Sequence, residues 1–161
     1  MHLTASQARL TAASRTLRHH LQAQVPNARD YALRDKTMRM RFEAPATVAL
    51  FLAFLERGAY DAGAADDAAA VRTHLCLCAF AEKYEVRALG AYARARAGAA
   101  LERLVSRADE DTADSRGGGR AWARVAGQVL GGIEGAERTA VRDVLERLVR
   151  PFVWRAGGDV W

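Results

Sequence analysis

The sequence lacks a long hydrophobic run. Its longest nearly apolar stretch, Ala44 to Leu55, has 12 residues, whereas a helix that spans a bilayer needs about 20. The first ten residues contain no apolar core of a secretion signal. We therefore expect a protein without a membrane partner, located in the cytoplasm, the nucleus or both.

The sequence also has little cysteine, since only Cys76 and Cys78 occur. Two positions apart on a helix, they point in different directions and cannot form a disulfide there. His74 extends them to a His-x-Cys-x-Cys string, but zinc needs about four converging ligands and alternate helical positions diverge. We predict reduced thiols, no metal site and no cofactor.

Positive charge is present without a basic block. The net charge is +5, and only two of the 24 basic residues are lysine. Residues 1–60 have 9 basic and 4 acidic side chains, and the rest of the chain is nearly balanced. Because phosphate binding needs clustered cations, we do not expect nucleic acid as the main partner. An Arg-rich nucleic-acid-binding or transcription-linked regulatory protein remains the alternative.

No serine, histidine and acid arrangement has a recognisable nucleophile context. Carboxylates concentrate at Asp66–Asp67 and Asp109–Asp111, in segments that read as loops. Solvated carboxylates keep ordinary pKa values and are poor general acids. We predict a protein that is not an enzyme and has no catalytic residues.

Helical periodicity accounts for most of the chain. Ser14 is a good N-cap for a second short helix, and Thr37 to Phe42 alternates in the manner of a half-buried strand. The fold class predicted is α+β, predominantly α-helical, with a partial small β-element. The predicted helices are Thr4–Ala13, Ser14 to about Gln24, Pro45 to Gly58, Ala68–Tyr84 and Val86–Arg107.

The only segment with linker composition is 108–119, which is acidic and ends in three glycines. It divides a core, residues 1–107, from a C-terminal helical extension, residues 120–161. We expect the two amphipathic helices of the extension to pack together and onto the helix from Val86 to Arg107. Their apolar stripes are Trp122, Val125, Val129 and Ile133, then Val141, Val144, Leu145, Leu148 and Phe152, with Pro151 ending the second helix.

The core resembles a known family at the turn between its last two helices. The segment there reads Ala81-Glu82-Lys83-Tyr84-Glu85-Val86, with Leu89 three positions on. It resembles the Ala-Asp-Lys-Tyr-Asp-Val segment of the BTB/POZ domain in the form common in fungal proteins. Residues 3 to about 105 follow the family's order, although Glu56 stands where a tyrosine is usual. Further matches are Leu10 to Ser14, Phe51 to Leu55, Gly58 and Tyr60.

The resemblance implies protein partners: a homodimer, or a heterotypic adaptor that recruits substrates to a cullin-type ubiquitin ligase. The family begins with a β-hairpin, which would lie before Met1 here, and Ser6 and Gln7 replace its His-Lys pair. Without that hairpin, we expect the first helices and the strand edge to be uncovered. The candidate interface residues are Leu10, Leu17, Leu21, Met38 and Met40.

Overall fold

The computed structural model describes residues 7–23, 43–63, 66–110, 118–131, 133 and 135–155. These residues form seven α-helices and no strand, so the predominantly helical class is confirmed. The predicted strand Thr37–Phe42 lies outside the described residues. The helices are α1 (Gln7–Ala13), α2 (Arg15–Ala23), α3 (Pro45–Arg57), α4 (Asp67–Lys83), α5 (Arg87–Glu110), α6 (Gly118–Leu130) and α7 (Gly135–Arg155).

Ser14 separates α1 from α2 and caps α2 as predicted. Its hydroxyl oxygen accepts a hydrogen bond from the Leu17 backbone N–H at 3.1 Å, which satisfies one of the unpaired donors of the first turn. Arg18 donates from its guanidinium to the Thr11 carbonyl at 3.0 Å. The two short helices are thereby joined into one hairpin.

Sequence signals fix both ends of α3. Pro45 opens the helix, where its missing N–H costs no hydrogen bond. Gly58 closes it with a φ of 71° and donates its N–H to the Phe54 carbonyl. A residue with a side chain is strained in that left-handed conformation, so glycine is required there.

A tight turn joins α4 to α5. The Val86 N–H donates to the Ala81 carbonyl at 2.8 Å and the Glu85 N–H donates to the Glu82 carbonyl at 3.2 Å. This pair of bonds is the Schellman motif, whose penultimate residue is left-handed. That residue is Glu85, with a φ of 54°.

The C-terminal helices pack on the core as expected, although α7 rests mainly on α4 rather than on α5. Arg72 of α4 fixes the position of α6. It donates to the carbonyls of Val129 at 3.1 Å and Gln128 at 3.2 Å. These carbonyls belong to the last turn of α6, which lacks helical N–H partners. The arginine therefore caps α6 and binds the extension to the core.

Two predicted boundaries are wrong. The helix α5 continues to Glu110, and Ala108 is buried, so the acidic residues that look like a linker partly extend a helix. The helix α7 continues through Pro151 to Arg155. Sixteen helical residues, 135–150, precede Pro151, and a proline inside a helix can kink it without ending it. The remaining linker residues, 111–117, lie outside the described residues.

Leu10 and Leu17 belong to the core rather than to an uncovered surface. Leu17 is fully buried and Leu10 is 9% exposed. The expectation that they lack cover is wrong because α1 packs on α3, and α2 is bonded to the turn after α4. Leu21 lies in α2, but its side chain is outside the described part of the structure, as are Met38 and Met40.

Within the described ranges, no helix is both long and apolar enough to cross a bilayer. The central element is α4, which contacts α3, α5, α6 and α7. Its buried side chains include Leu75, Leu77 and Phe80. One continuous core therefore joins the residues before and after the predicted linker.

Candidate functional site

The Ala-Glu-Lys-Tyr segment binds the residue that precedes α3. The Lys83 ammonium and the Tyr84 hydroxyl both donate to the carboxylate of Glu43, the latter at 3.0 Å. The Tyr84 ring packs on Phe80 with centroids 4.6 Å apart. Burial, and then the Glu43 carboxylate, raise the pKa of Tyr84 to about 12. The tyrosine keeps its proton and acts as a hydrogen-bond donor at neutral pH.

The same turn also binds the hairpin formed by α1 and α2. The buried Ser14 hydroxyl donates to the Tyr84 carbonyl, and the Thr16 hydroxyl donates to the Glu85 carboxylate at 2.8 Å. These bonds join residues about 70 positions apart in the chain. The turn is therefore the point at which α2, α4, α5 and the entrance to α3 meet.

The other motif residues have structural positions around this turn. Ala81, Val86 and Leu89 are buried, and Ala81 and Val86 are the two residues of the 2.8 Å Schellman bond. Glu82 is exposed and pairs with Arg94 at 3.5 Å and with Arg147 at 2.7 Å. It therefore links α4, α5 and α7 through one carboxylate.

The helix α3 is apolar around its circumference but is not fully enclosed. Only Thr47 and Phe51 are buried, although an entirely apolar helix is normally buried on every side. Leu50 and Phe54 widen the apolar face of the helix, and both are half-buried. A partly open apolar surface therefore remains on α3. Its half-buried apolar members are Val48, Ala49, Leu50, Leu52, Ala53, Phe54 and Leu55.

Beside α3, a buried polar pair attaches the loop after Gly58 to α4. The Tyr60 hydroxyl and His74 Nδ1 share a hydrogen bond of 2.8 Å, and each residue is less than a tenth exposed. Burial, reinforced by Arg96 and Arg103, lowers the pKa of His74 to about 4. Burial raises the pKa of Tyr60 above its usual range. Both groups are therefore neutral at physiological pH and serve as a fixed support.

Aromatic rings continue from this pair to the surface. Tyr92 of α5 lies edge-on to Tyr60, with centroids 5.2 Å apart, and 5.5 Å from Phe54 of α3. Arg96 follows one turn later, with its guanidinium 5.4 Å from the Tyr92 ring centroid. It donates to the Tyr92 hydroxyl at 3.1 Å, and this bond raises the pKa of Arg96. The cation is exposed and lies on the Tyr92 ring.

The His-x-Cys-x-Cys residues diverge, as their spacing predicts. His74 bonds Tyr60, Cys78 is buried in the core, and Cys76 lies near the Glu137 carboxylate of α7. Burial raises the pKa of both thiols to about 12, and Glu137 adds to the effect at Cys76. Both cysteines are free. Among the described residues, no group of three or more His, Cys, Asp or Glu could hold a metal ion.

Sequence reasoning missed Glu43, Tyr60, Tyr92 and Arg96 as members of these clusters. The sequence signal for Tyr92 and Arg96 was their spacing, since they are one helical turn apart on a helix that the periodicity predicts. Glu43 and Tyr60 lie in segments without periodicity, and their partners are 40 and 14 residues away in the chain.

Searches against protein-family models, curated proteins and solved structures found no match for this chain. The BTB/POZ resemblance therefore stays a prediction that rests on the residues quoted for it.

Proposed function

We propose that the protein is a non-enzymatic protein–protein interaction module that associates with itself and recruits a second protein. The observation that carries the proposal is the partly open apolar surface of α3. Apolar surface that a chain leaves accessible on one helix is typical of an interface. The order of helices, and the turn that follows the BTB/POZ pattern, also support this function.

The outer face of α3 is the surface we propose for self-association. Ala49 lies about 160° around the helix axis from each of the two buried residues, Thr47 and Phe51, and is therefore on the opposite face. Small side chains there allow a second helix to approach closely. We propose this face as the interface instead of Leu10 and Leu17, because the chain itself covers those two leucines.

Light scattering after size exclusion tests self-association directly. At tens of micromolar, we expect the wild type to be a dimer and Ala49→Glu to be a monomer, because an apolar contact does not accommodate an unpaired charge. Ala95→Glu is the matched control: it adds the same charge at an exposed position of α5 and should leave the dimer intact. A soluble wild-type monomer would refute the dimer, and a heterotypic adaptor would then rank first.

Recruitment to a cullin-type ubiquitin ligase rests on the resemblance alone. Titration of a purified cullin amino-terminal domain by calorimetry checks it. Heat of binding that Ala49→Glu or Arg96→Gln removes would support an adaptor role. No heat at tens of micromolar would remove this role and leave the interaction module with a different partner.

A second candidate, an Arg-rich nucleic-acid binder, is favoured by the N-terminal hairpin. Residues 7–23 contain no Asp or Glu, and Arg9, Arg15 and Arg18 are exposed. This function predicts binding to single-stranded DNA that weakens steeply between 50 and 200 mM salt. Fluorescence anisotropy measures it, with the Arg9→Gln, Arg15→Gln double variant as the test of location.

A further inference from the structure

Arg96 lacks the carboxylate partner that three other arginines of α5 have. Arg94 pairs with Glu82, while Arg103 and Arg107 both pair with Asp67. Among the described residues, no carboxylate lies within 4 Å of the Arg96 guanidinium, which is instead held on Tyr92. Arg96 is therefore an exposed cation on the Tyr92 ring with no carboxylate at ion-pair distance among the described residues, and the charge of Asp61 acts on it from farther away.

The surroundings of this cation are apolar and rigid. The Tyr92 ring packs against Phe54 and Tyr60, and His74 shares a hydrogen bond with the Tyr60 hydroxyl. Phe54 belongs to the partly open surface of α3. A half-buried aromatic ring and a fixed guanidinium are therefore neighbours where α3 meets α5.

We propose that Phe54, Tyr92 and Arg96 form a docking site for a segment of another protein that presents a carboxylate beside an apolar side chain. The proposal rests on the proposed function and names the chemistry of the recruited partner. A carboxylate pairs with the two N–H donors of one guanidinium edge. The adjacent apolar side chain packs on Phe54 and on the exposed part of the Tyr92 ring.

Charge complementarity selects this occupant over a nucleic acid. A phosphate backbone is bound by several adjacent cations, but Arg103 and Arg107 are engaged with Asp67. One arginine without a close carboxylate, next to an aromatic surface, matches a single carboxylate on an otherwise apolar segment. Arginine and tyrosine are also the residue types that dominate binding energy in protein interfaces.

Selection from a random peptide library displayed on phage supplies a defined probe. The full chain is the bait, with counter-selection against Arg96→Gln. We expect the enriched peptides to share an Asp or Glu within one helical turn of a large apolar residue. A synthesised peptide from this set should bind the wild type about tenfold more tightly than Arg96→Gln, because the charge-assisted pair is lost.

Three further variants locate the effect. Tyr92→Phe keeps the ring but removes the hydroxyl that orients the guanidinium, so we expect a smaller loss than for Arg96→Gln. Arg94→Gln is the matched control, since this cation is already paired with Glu82, and the affinity should not change. Arg96→Glu combined with a lysine in place of the peptide carboxylate should restore binding.

Several results would overturn the docking site. They are no enrichment over bare support, enriched peptides without a carboxylate, and equal binding by Arg96→Gln and the wild type. A wild-type dimer that Arg96→Glu dissolves would identify a second copy as the occupant, and displacement by single-stranded DNA would identify a nucleic acid. If Ala49→Glu abolishes peptide binding and Arg96→Gln does not, the docking site is refuted and the proposed function stands.

Discussion

Glu85 carries the one unfavourable backbone conformation among the described residues with side chains. Its φ of 54° lies in the region that side chains other than those of Asn and Asp rarely adopt. Two contacts offset this cost: the Schellman bonds around it, and the hydroxyl of Thr16 on its carboxylate. Nothing in the sequence marks Glu85 as left-handed, because helix ends usually place glycine or asparagine there.

Replacing Glu85 by two small residues separates the backbone cost from the side-chain contact. Both Glu85→Ala and Glu85→Gly lose the bond from Thr16, but only glycine adopts a positive φ without strain. We expect Glu85→Gly to be more stable than Glu85→Ala by about 1 kcal/mol, the reverse of the usual helical order. Chemical denaturation measures the difference, and equal stability would show that the turn relaxes.

His74 makes the free energy of unfolding depend on pH. Its pKa is about 4 in the folded chain and about 6.5 when unfolded. The unfolded chain therefore binds the proton more readily, and stability present above pH 6.5 is lost as the pH falls toward 4.

The variant His74→Gln keeps an acceptor for Tyr60 but does not titrate. Between pH 7 and pH 4 we expect the wild type to lose roughly 1–3 kcal/mol more than His74→Gln. Thermal melting across this range measures the difference. Parallel curves for the two proteins would contradict the lowered pKa.

Several single residues could be predicted from sequence because their roles are local. Ser14 caps α2 and Gly58 ends α3, each as expected. Lys83 is exposed, and its partner Glu43 lies 40 residues earlier in the chain. Periodicity indicates which face of a helix is apolar but not which distant segment covers that face. For this reason the burial of Leu17 was not predicted.

At the scale of elements, the helical periodicity predicted the positions of α1 to α5 within a few residues, and for α6 and α7 it predicted the apolar stripes. The errors at Glu110 and Pro151 have different origins. The acidic composition of 108–119 indicated a linker, although glutamate is a good helix former, whereas proline weakens or kinks a helix without always ending it. A helix already packed on its neighbours continues through a residue of poor propensity. The amphipathic stripe of α7 was the more reliable guide, because Val141, Val144 and Leu145 are all buried.

Packing of the extension can be tested at Leu145, which is 1% exposed. Truncation of a buried leucine costs about 2–5 kcal/mol, so Leu145→Ala should lower the melting temperature by several degrees. Leu148→Ala is the comparison, because this leucine on the same helix is only half-buried and should matter less. An unchanged melting curve for Leu145→Ala would mean that α7 is not docked in solution.

For the whole molecule, the composition of residues 108–119 suggests two units but the packing shows one core. The face of α4 under α6 and α7 is apolar, and Arg72 reaches across to the end of α6. Packing of the extension on the core was predicted, but its main support on α4 was not, since the contacts of Arg72 join residues more than 50 positions apart.

A chain that ends at residue 110 tests this single core. Without α6 and α7, the apolar faces of α4 and α5 are open to water, and Arg72 loses its acceptors. We expect binding of a hydrophobic dye, association in light scattering and loss of a cooperative melting transition. A shortened chain that melts cooperatively as a monomer would show that residues 7–110 form an independent domain.

The bonds from Ser14 and Thr16 to the α4–α5 turn have a consequence for biosynthesis. A ribosome makes α1 and α2 first, but the groups that receive them are added 69 and 70 residues later. At about 5–20 residues per second, this delay is roughly 4–14 seconds. During that time α2 lacks the turn to which it is bonded and Leu17 lacks its full native cover, so the nascent chain offers a chaperone an apolar segment that the finished protein hides.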